Sequence, residues 1–327
     1  MSPEVIVTTG SRLHWGLLSL APRTGREFGG LGLMVDEPTL VLSVRYSSSQ
    51  EDQIAGSAGS AEKIQTALQV LRNSSPDWLG DHCFEITVQS EIPQHSGFGS
   101  GTQLSLAVAR GLAALMDQDE LSSVELAQLV DRGARSALGV YGFDKGGFLI
   151  EAGKRDSADI SPLVFQAPFP EPWRILLITP QDQAGISGAV EADAIQQLGP
   201  MPDALTEKLC RLALMQLAPA VLEQNFSEFA SGLTEFGHLV GEFFAPVQGG
   251  VLAHPRMREL EQLLLSQGVE GIAQTSWGPT LSVICADEGE AESLSSLIKS
   301  AGYGEECLAR IVKPLNQGAT LEHRKSV

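Results

Sequence analysis

Apolar and polar positions alternate in part at the start of the chain. VIVTTGSRLHWGLLSL and, further on, TLVLSVRYSS carry the β-branched residues and two-residue period of strands. Between them RTGREFGGLGLMVDEP holds Gly25, Gly29, Gly30 and Gly32 and reads as a loop where backbone can approach a ligand. The period then lengthens: in SAEKIQTALQVLR, Ile64, Ala67, Leu68 and Leu71 fall at helical spacing, before CFEITVQSEIP returns to strand. The clearest helix follows, with Leu104, Ala107, Val108, Gly111, Leu112 and Leu115 on one apolar face. SVELAQLVDRGARSAL predicts a second helix running into the glycine-rich GVYGFDKGGFLIEAG, and QAPFPEPW (166–173) is the best linker candidate.

RILLITP starts a new strand, and the second half is richer in helix. DALTEKLCRLALMQLAPA places Leu205, Leu209, Leu212, Ala213 and Leu217 on one face, and NFSEFASGLTEFGHLVGEFF does the same with Phe226, Phe229, Ala230, Leu233 and Phe236. A short helix, PRMRELEQLLLSQG, ends at Gly268, and the strand segments GIAQTSWGPTLSVICAD and CLARIVKP flank a last helix near EAESLSSLIKSAG. Strands and helices mix without strict alternation, so the expected class is α+β rather than a doubly wound sheet. The tail from Gly318 to Val327 reads as frayed.

Length and charge narrow the function. At 327 residues the chain holds one large or two ordinary domains, and 43% hydrophobic residues give it a sizeable core. A net charge of −18 argues against general binding to nucleic acid or anionic membranes, which need basic surface. A few local donors still suffice for a small anion. Cys83, Cys210, Cys285 and Cys307 have no metal-ligand spacing and read as reduced thiols. With no apolar run of membrane length and no signal pattern at the start, the expected location is the cytoplasm.

Candidate chemistry centres on EIPQHSGFGSGT (91–102), where a strand gives way to small residues and then to the clearest helix. Backbone N–H groups and the helix dipole at such a junction attract anions, and glycines let phosphate oxygens come close. His95, Ser96, Gly97, Gly99, Ser100, Gly101 and Thr102 are the candidate cradle. An ordinary turn capped by Ser100 or Thr102 fits the same pattern. It is neither a Walker A loop nor a dinucleotide fingerprint. In GSRLHWG, Arg12 and His14 share one side of a strand, as two groups suited to a phosphate or carboxylate or as a solvated face. DRGARSALGVYGFDKGG supplies Arg132, Arg135, Tyr141, Asp144 and Lys145, the two arginines spaced for one helix face. QTSWGPT sets Ser276, Trp277 and Gly278 in what is either a site element or a hairpin turn.

These pieces resemble the GHMP kinase superfamily, whose phosphate loop runs Pro, three residues, Gly-Leu-Gly-Ser-Ser; PQHSGFGSG matches it with Phe98 and Gly101 substituted. The resemblance spans nearly the whole chain. It implies an N-terminal domain like domain 2 of ribosomal protein S5 over 1–168 and a ferredoxin-like α/β sandwich over 169–327. Within the superfamily, SRLHWGLLSL, REFGGLGLMVDEP, PQHSGFGSGTQLSLAVA, RSALGVYGFDKGGFLIEAG and QTSWGPT are similar, in order, to stretches of the β-ribofuranosylaminobenzene 5′-phosphate synthases. Where many GHMP kinases carry Ser-Gly-x-Asp to activate the acceptor hydroxyl, this chain reads LGVYG, with Tyr141 in place of the aspartate.

The resemblance implies condensation of phosphoribosyl pyrophosphate with 4-aminobenzoate or 4-hydroxybenzoate, losing CO2 and pyrophosphate, for tetrahydromethanopterin biosynthesis. It places the phosphate groups on Ser96 to Thr102, Mg2+ on the substrate, and Arg12, His14, Arg135 and Lys145 as cations for the carboxylate. Trp277 or Tyr141 would pack on the ring, Gly30 and the 274–280 stretch would complete the substrate site, and Asp144 stays open between a catalytic and a structural part. A homodimer is common in such families. The rival readings are an ATP-dependent small-molecule kinase and a ligand-binding protein that has lost catalysis.

Overall fold

Two long antiparallel strands organise the N-terminal half. In the computed structural model, which describes residues 3–325 apart from 75, 157–158, 183–184 and 186–187, β1 (Pro3–Ser19) pairs with β2 (Phe28–Tyr46) almost end to end. Register breaks after Thr9 and after His14 bend β1. The expected glycine loop is therefore a strand from Phe28 onward. Glycine stands there because backbone crowds it: a Cβ on Gly32 would collide with the Leu13 carbonyl. After β3 (Gln53–Ala55), α1 (Ala58–Ser74), α2 (Pro76–Leu79) and β4 (Phe84–Ser90) comes α3 (Ser100–Leu115). Next in the chain are α4 (Ser123–Leu129), α5 (Leu138–Lys145), β5 (Phe148–Glu151) and β6 (Leu163–Ala167).

Helix α3 is buried nearly all round rather than on one face, because β1 and β2 lie on one side and α1, α4 and α5 surround the rest. Helix α4 stops at Leu129, short of the predicted end: Gly133, at φ +89°, opens a loop, and Arg132 and Arg135 project from that loop rather than from one helix face.

The second layer starts with β7 (Arg174–Pro180) and continues through α6 (Gly188–Leu198) to α7 (Asp203–Leu212). A π turn (Ala213–Leu217) joins α7 to α8 (Ala218–Glu223), followed by α9 (Phe226–Gln248) and α10 (Pro255–Ser266). A hairpin of β8 (Ile272–Gln274) and β9 (Leu281–Cys285), then α11 (Glu288–Ile298) and β10 (Cys307–Val312), complete it. Its antiparallel sheet has the order β10-β7-β9-β8, the ferredoxin-like arrangement, and what read as one strand segment around QTSWGPT is a hairpin.

The proline-rich stretch is no solvated linker. Phe169 and Trp173 are buried, both pack on Phe229, and Asn316 brackets Phe169 by accepting from its N–H and donating to its carbonyl. Trp15 reaches across from β1 to donate its indole N–H to Ser282 Oγ at 2.9 Å, so one apolar core runs through both layers. The tail expected to fray forms β11 (Thr320–Lys325), which pairs with Pro3–Thr8 of β1 and ends the seven-stranded sheet. Its role as an edge strand with one neighbour explains why its sequence read as frayed. No helix among the described residues is long and apolar enough to cross a membrane.

Candidate active site

The loop ahead of α3 takes left-handed backbone at His95, Gly97 and Gly99 (φ +56°, +85° and +70°), which explains two of its glycines. Gly99 is itself the N-cap, and no side chain caps the helix, so neither Ser100 nor Thr102 consumes its first N–H groups. A Cβ on Gly101 would meet nothing within 4 Å: the helix start faces open space.

Two segments far apart in sequence are tied to this loop. Arg12 N–H donates to the Phe98 carbonyl at 3.0 Å, Thr275 Oγ1 to the Gly97 carbonyl at 2.7 Å, and Thr280 Oγ1 to the Ser96 carbonyl at 2.8 Å. Ser276 N–H donates to the His14 carbonyl at 2.6 Å, and the Arg12 guanidinium to Ser276 Oγ at 2.9 Å. Gly97 must lack a side chain, since its Cβ would lie 2.5 Å from the Thr275 carbonyl oxygen. The β8–β9 turn is thus the far wall of the same site.

Two chambers meet there. The first, about 980 Å3 including its mouth, is lined by the loop, by His95 and Gly278, and by Arg12, Lys63, Arg132 and Arg135. Among the described residues its one carboxylate is Glu191, paired with Arg135 at 3.0 Å and accepting from the Trp277 indole at 3.0 Å. The second, about 740 Å3, is largely apolar: α9 presents Gly237, Val240, Gly241, Phe244 and Gln248 to it, and Trp277 meets Phe244 edge-on with ring centroids 4.8 Å apart. Arg12, Arg135, Glu191, Ser276 and Trp277 line both.

Burial governs the charges. It lowers the Arg12 pKa to about 10 against the pull of Glu151 and Glu191, which leaves the guanidinium charged at neutral pH. Burial, then the neighbouring Arg12 charge, depresses His14 to about 3, so the imidazole is neutral and is not the cation the sequence suggested. Arg12 Nε, His14 Nε2 and Arg135 NH1 are buried with no hydrogen-bond partner, and buried polar atoms in that condition call for a ligand or water. Behind the wall, fully buried Glu151 accepts from Ser136 Oγ at 2.6 Å and Ala137 N–H at 2.8 Å, fixing the turn that carries Arg135.

Of the residues singled out from sequence, Arg12, His14, His95, Gly97, Gly99, Ser100, Gly101, Thr102, Arg135, Ser276, Trp277 and Gly278 come together in these chambers. Ser96 backs the loop through its carbonyl, and Gly30 sits behind His14, where a Cβ would fall 3.0 Å from Nε2. Three others are elsewhere. Tyr141 packs beside Met34, Leu138, Leu149 and Leu163, away from any position where it could stack on a ligand. Asp144 and Lys145 pair with each other at 3.3 Å, half exposed, at the end of α5 remote from the site. Helix α5 starts next to Ser136 and runs outward, so seven residues along it carry Lys145 ~10 Å away. Lys63, Glu191, Glu151, Phe244 and Gln248 escaped the sequence reading. The helical spacing of Val190, Ala194, Ile195 and Leu198 could have found α6 and with it Glu191; nothing in the sequence marked Lys63. Among the described residues no group of three or more His, Cys, Asp or Glu could hold a metal.

A glycine-lined loop at an uncapped helix start, facing a ferredoxin-like layer, is the arrangement of the GHMP kinase class. Residues 62–147 match the family described as GHMP kinases N terminal domain, and residues 217–304 match GHMP kinases C terminal. Homoserine kinase from Cytophaga hutchinsonii shares the fold, with a TM-score of 0.67 at 16% identity over 98% of this chain and 97% of that one. Mevalonate diphosphate decarboxylase from Staphylococcus aureus does so at 0.66 and 13%, over 98% of each chain. Sequence likeness is closer to proteins named β-ribofuranosylphenol 5′-phosphate synthase. That of Methanothermobacter thermautotrophicus is 33% identical over 293 residues (85% of this chain, 88% of the relative), and that of Methanocaldococcus jannaschii is 31% identical over 264 residues (72% and 77%). The chain belongs to this synthase family of GHMP-fold enzymes.

Proposed function

We propose that the enzyme condenses phosphoribosyl pyrophosphate with 4-hydroxybenzoate or 4-aminobenzoate, releasing CO2 and pyrophosphate, to give a β-ribofuranosyl arene 5′-phosphate for tetrahydromethanopterin biosynthesis. The observation that carries this reading is the junction of the two chambers: a cationic, glycine-lined space opens onto an aromatic one through Arg12, Arg135, Ser276 and Trp277. A phosphorylated ribose in the first and a benzoate in the second would meet at that wall.

The C1–oxygen bond breaks with its electron pair leaving on pyrophosphate, and the N–H groups at the start of α3 and the Arg12 guanidinium stabilise that charge. The ring carbon bearing the carboxylate forms a bond to C1. The carbon–carboxylate bond then breaks, its electron pair restoring the aromatic ring. Arg12 Nε and Arg135 NH1, both unpartnered, are the donors available to hold the benzoate carboxylate until that step. Neutral His14 offers a hydrogen bond, not a charge. The donor set does not fit a protein-held Mg2+, because the one carboxylate in the phosphate chamber is engaged by Arg135 and Trp277. Mg2+ would arrive on the substrate's own phosphates.

Carboxyl-labelled 4-hydroxybenzoate or 4-aminobenzoate, with phosphoribosyl pyrophosphate and Mg2+, tests the proposal. Equal, enzyme-dependent release of labelled CO2 and pyrophosphate is expected. Release of neither, together with ADP formation from ATP and an alcohol, would replace it with the kinase reading.

A further inference from the structure

We infer that the phosphate chamber contains two separate anion subsites, and that Lys63 and Arg132 form one of them, for the phosphomonoester on carbon 5 of the ribose. This rests on the phosphoribosyl pyrophosphate reading above. The four cations of the chamber divide by position. Arg12 and Arg135 line both chambers, so they stand where C1 must meet the ring; Lys63 and Arg132 line the phosphate chamber and not the aromatic one. They also approach α3 differently. Arg12 lies against its start, where a Cβ on Gly99 would be 3.1 Å from Arg12 Nε. Arg132 donates through Nε to Ser105 Oγ at 3.1 Å, five residues into the helix, ~7.5 Å further along its axis.

Both outer cations are held in place by neutral groups. Lys63 Nζ donates to Gln94 Oε1 at 2.7 Å, and Gln94 in turn lies against Gly59, where a Cβ would fall 2.7 Å from its amide. Arg132 spends only its Nε on Ser105, which leaves its two terminal nitrogens for an anion in the chamber that it lines. Two half-buried like charges converge here with no carboxylate of the lining between them, since Glu191 is bound to Arg135 and Trp277. Such an arrangement is unfavourable until an anion bridges it, and burial followed by the Arg132 charge lowers the Lys63 pKa accordingly. A single phosphomonoester satisfies one ammonium and one guanidinium fork together. The N–H groups of Ser100 and Gly101, with Arg12, are left for the diphosphate.

Calorimetry on the full chain, with ribose 5-phosphate and methylenediphosphonate as separate probes, tests this on the wild type, K63Q and R132Q. Each variant should weaken ribose 5-phosphate binding roughly ten- to a hundredfold, as expected for one lost charge-assisted hydrogen bond, and leave methylenediphosphonate within about twofold. Parallel weakening of both probes would mean one undivided site, and no change in either would remove both residues from the ligand; each result overturns the inference. Wild-type protein that binds neither probe would overturn the phosphoribosyl pyrophosphate reading itself. Thermal unfolding identifies a misfolded variant, and the other variant then decides.

Discussion

Replacing His14 by glutamine should make the protein less sensitive to acid, even if the variant is the weaker fold at neutral pH. The imidazole is 6% exposed, lies beside Arg12, and is depressed from its ordinary value of 6.5 to about 3. Above pH 6.5 it is neutral in both folded and unfolded chains and adds no pH dependence. As the pH falls below 6.5, the unfolded chain takes up a proton that the folded chain refuses, so stability drops by ~1.4 kcal/mol per pH unit until about pH 3. Between pH 6.5 and 5.0 the loss is thus ~2 kcal/mol, a substantial part of an ordinary domain's 5–15 kcal/mol. Glutamine has no such proton to bind. Urea unfolding of both proteins at pH 7.5, 6.5, 5.5 and 5.0 isolates the effect, because carboxylates common to the two chains cancel in the difference. The stability gap between wild type and H14Q should move in favour of the variant by ~2 kcal/mol from pH 7.5 to 5.0. A gap independent of pH would refute the assignment of His14 as a buried neutral imidazole.

Two glycines of the phosphate loop should respond in opposite senses. Gly97→Ala places a Cβ 2.5 Å from the Thr275 carbonyl oxygen at φ +85°, so urea unfolding should show a loss of ~2 kcal/mol or more and calorimetry a loss of diphosphonate binding. Gly101→Ala meets nothing within 4 Å and should raise stability by ~0.5–1 kcal/mol in the same unfolding assay, yet weaken diphosphonate binding, because its methyl enters the cradle. A chain ending at Gly318 loses β11 and leaves β1 as a bare edge over Pro3–Thr8; its melting temperature should fall by several degrees, and light scattering should rise with concentration.

Local pattern carried the helices and most strands, because α1, α7, α9 and α10 each bury an apolar stripe that repeats at helical spacing, and α3 carries one although it is buried nearly all round. It misread segments whose conformation is set by distant partners. Gly29, Gly30 and Gly32 looked like a loop because the reason for glycine, the carbonyls of β1 and β5 pressing on β2, lies elsewhere in the chain. β11 looked frayed because an edge strand with one neighbour needs little apolar patterning. The site was legible where one short motif holds both the backbone geometry and the donors, as in residues 95–102. Lys63 and Glu191 were not, since each enters the site from a helix whose own pattern only reports its buried face. Asp144 and Lys145 were drawn in by mere closeness in sequence to Arg135; eight residues of helix carry them out again.

The chamber also shows how a chain of net charge −18 could hold the polyanion proposed above. Among the described residues, Arg12, Lys63, Arg132 and Arg135 against Glu191 give 4 − 1 = +3 along its lining, with Arg12 against a helix N-terminus. At physiological ionic strength charges beyond about 8 Å are largely screened when exposed to solvent, whereas these half-buried cations act at close range. The acidic exterior therefore slows the arrival of an anion more than it weakens the bound state. The same lining bears on what the GHMP fold does here. Phosphoryl transfer to an alcohol needs a group that accepts or orients the hydroxyl proton. In this chain the helix that would offer one turns Tyr141 into an apolar cluster, and Glu191, the one acid among the described residues of the wall, is already spent on Arg135 and Trp277. Cations and backbone donors suited to the departing diphosphate of the proposed reaction remain. A reaction whose acceptor is an aromatic carbon asks for little beyond them and an apolar surface to pack against, which the edge-on pair Trp277 and Phe244 provides.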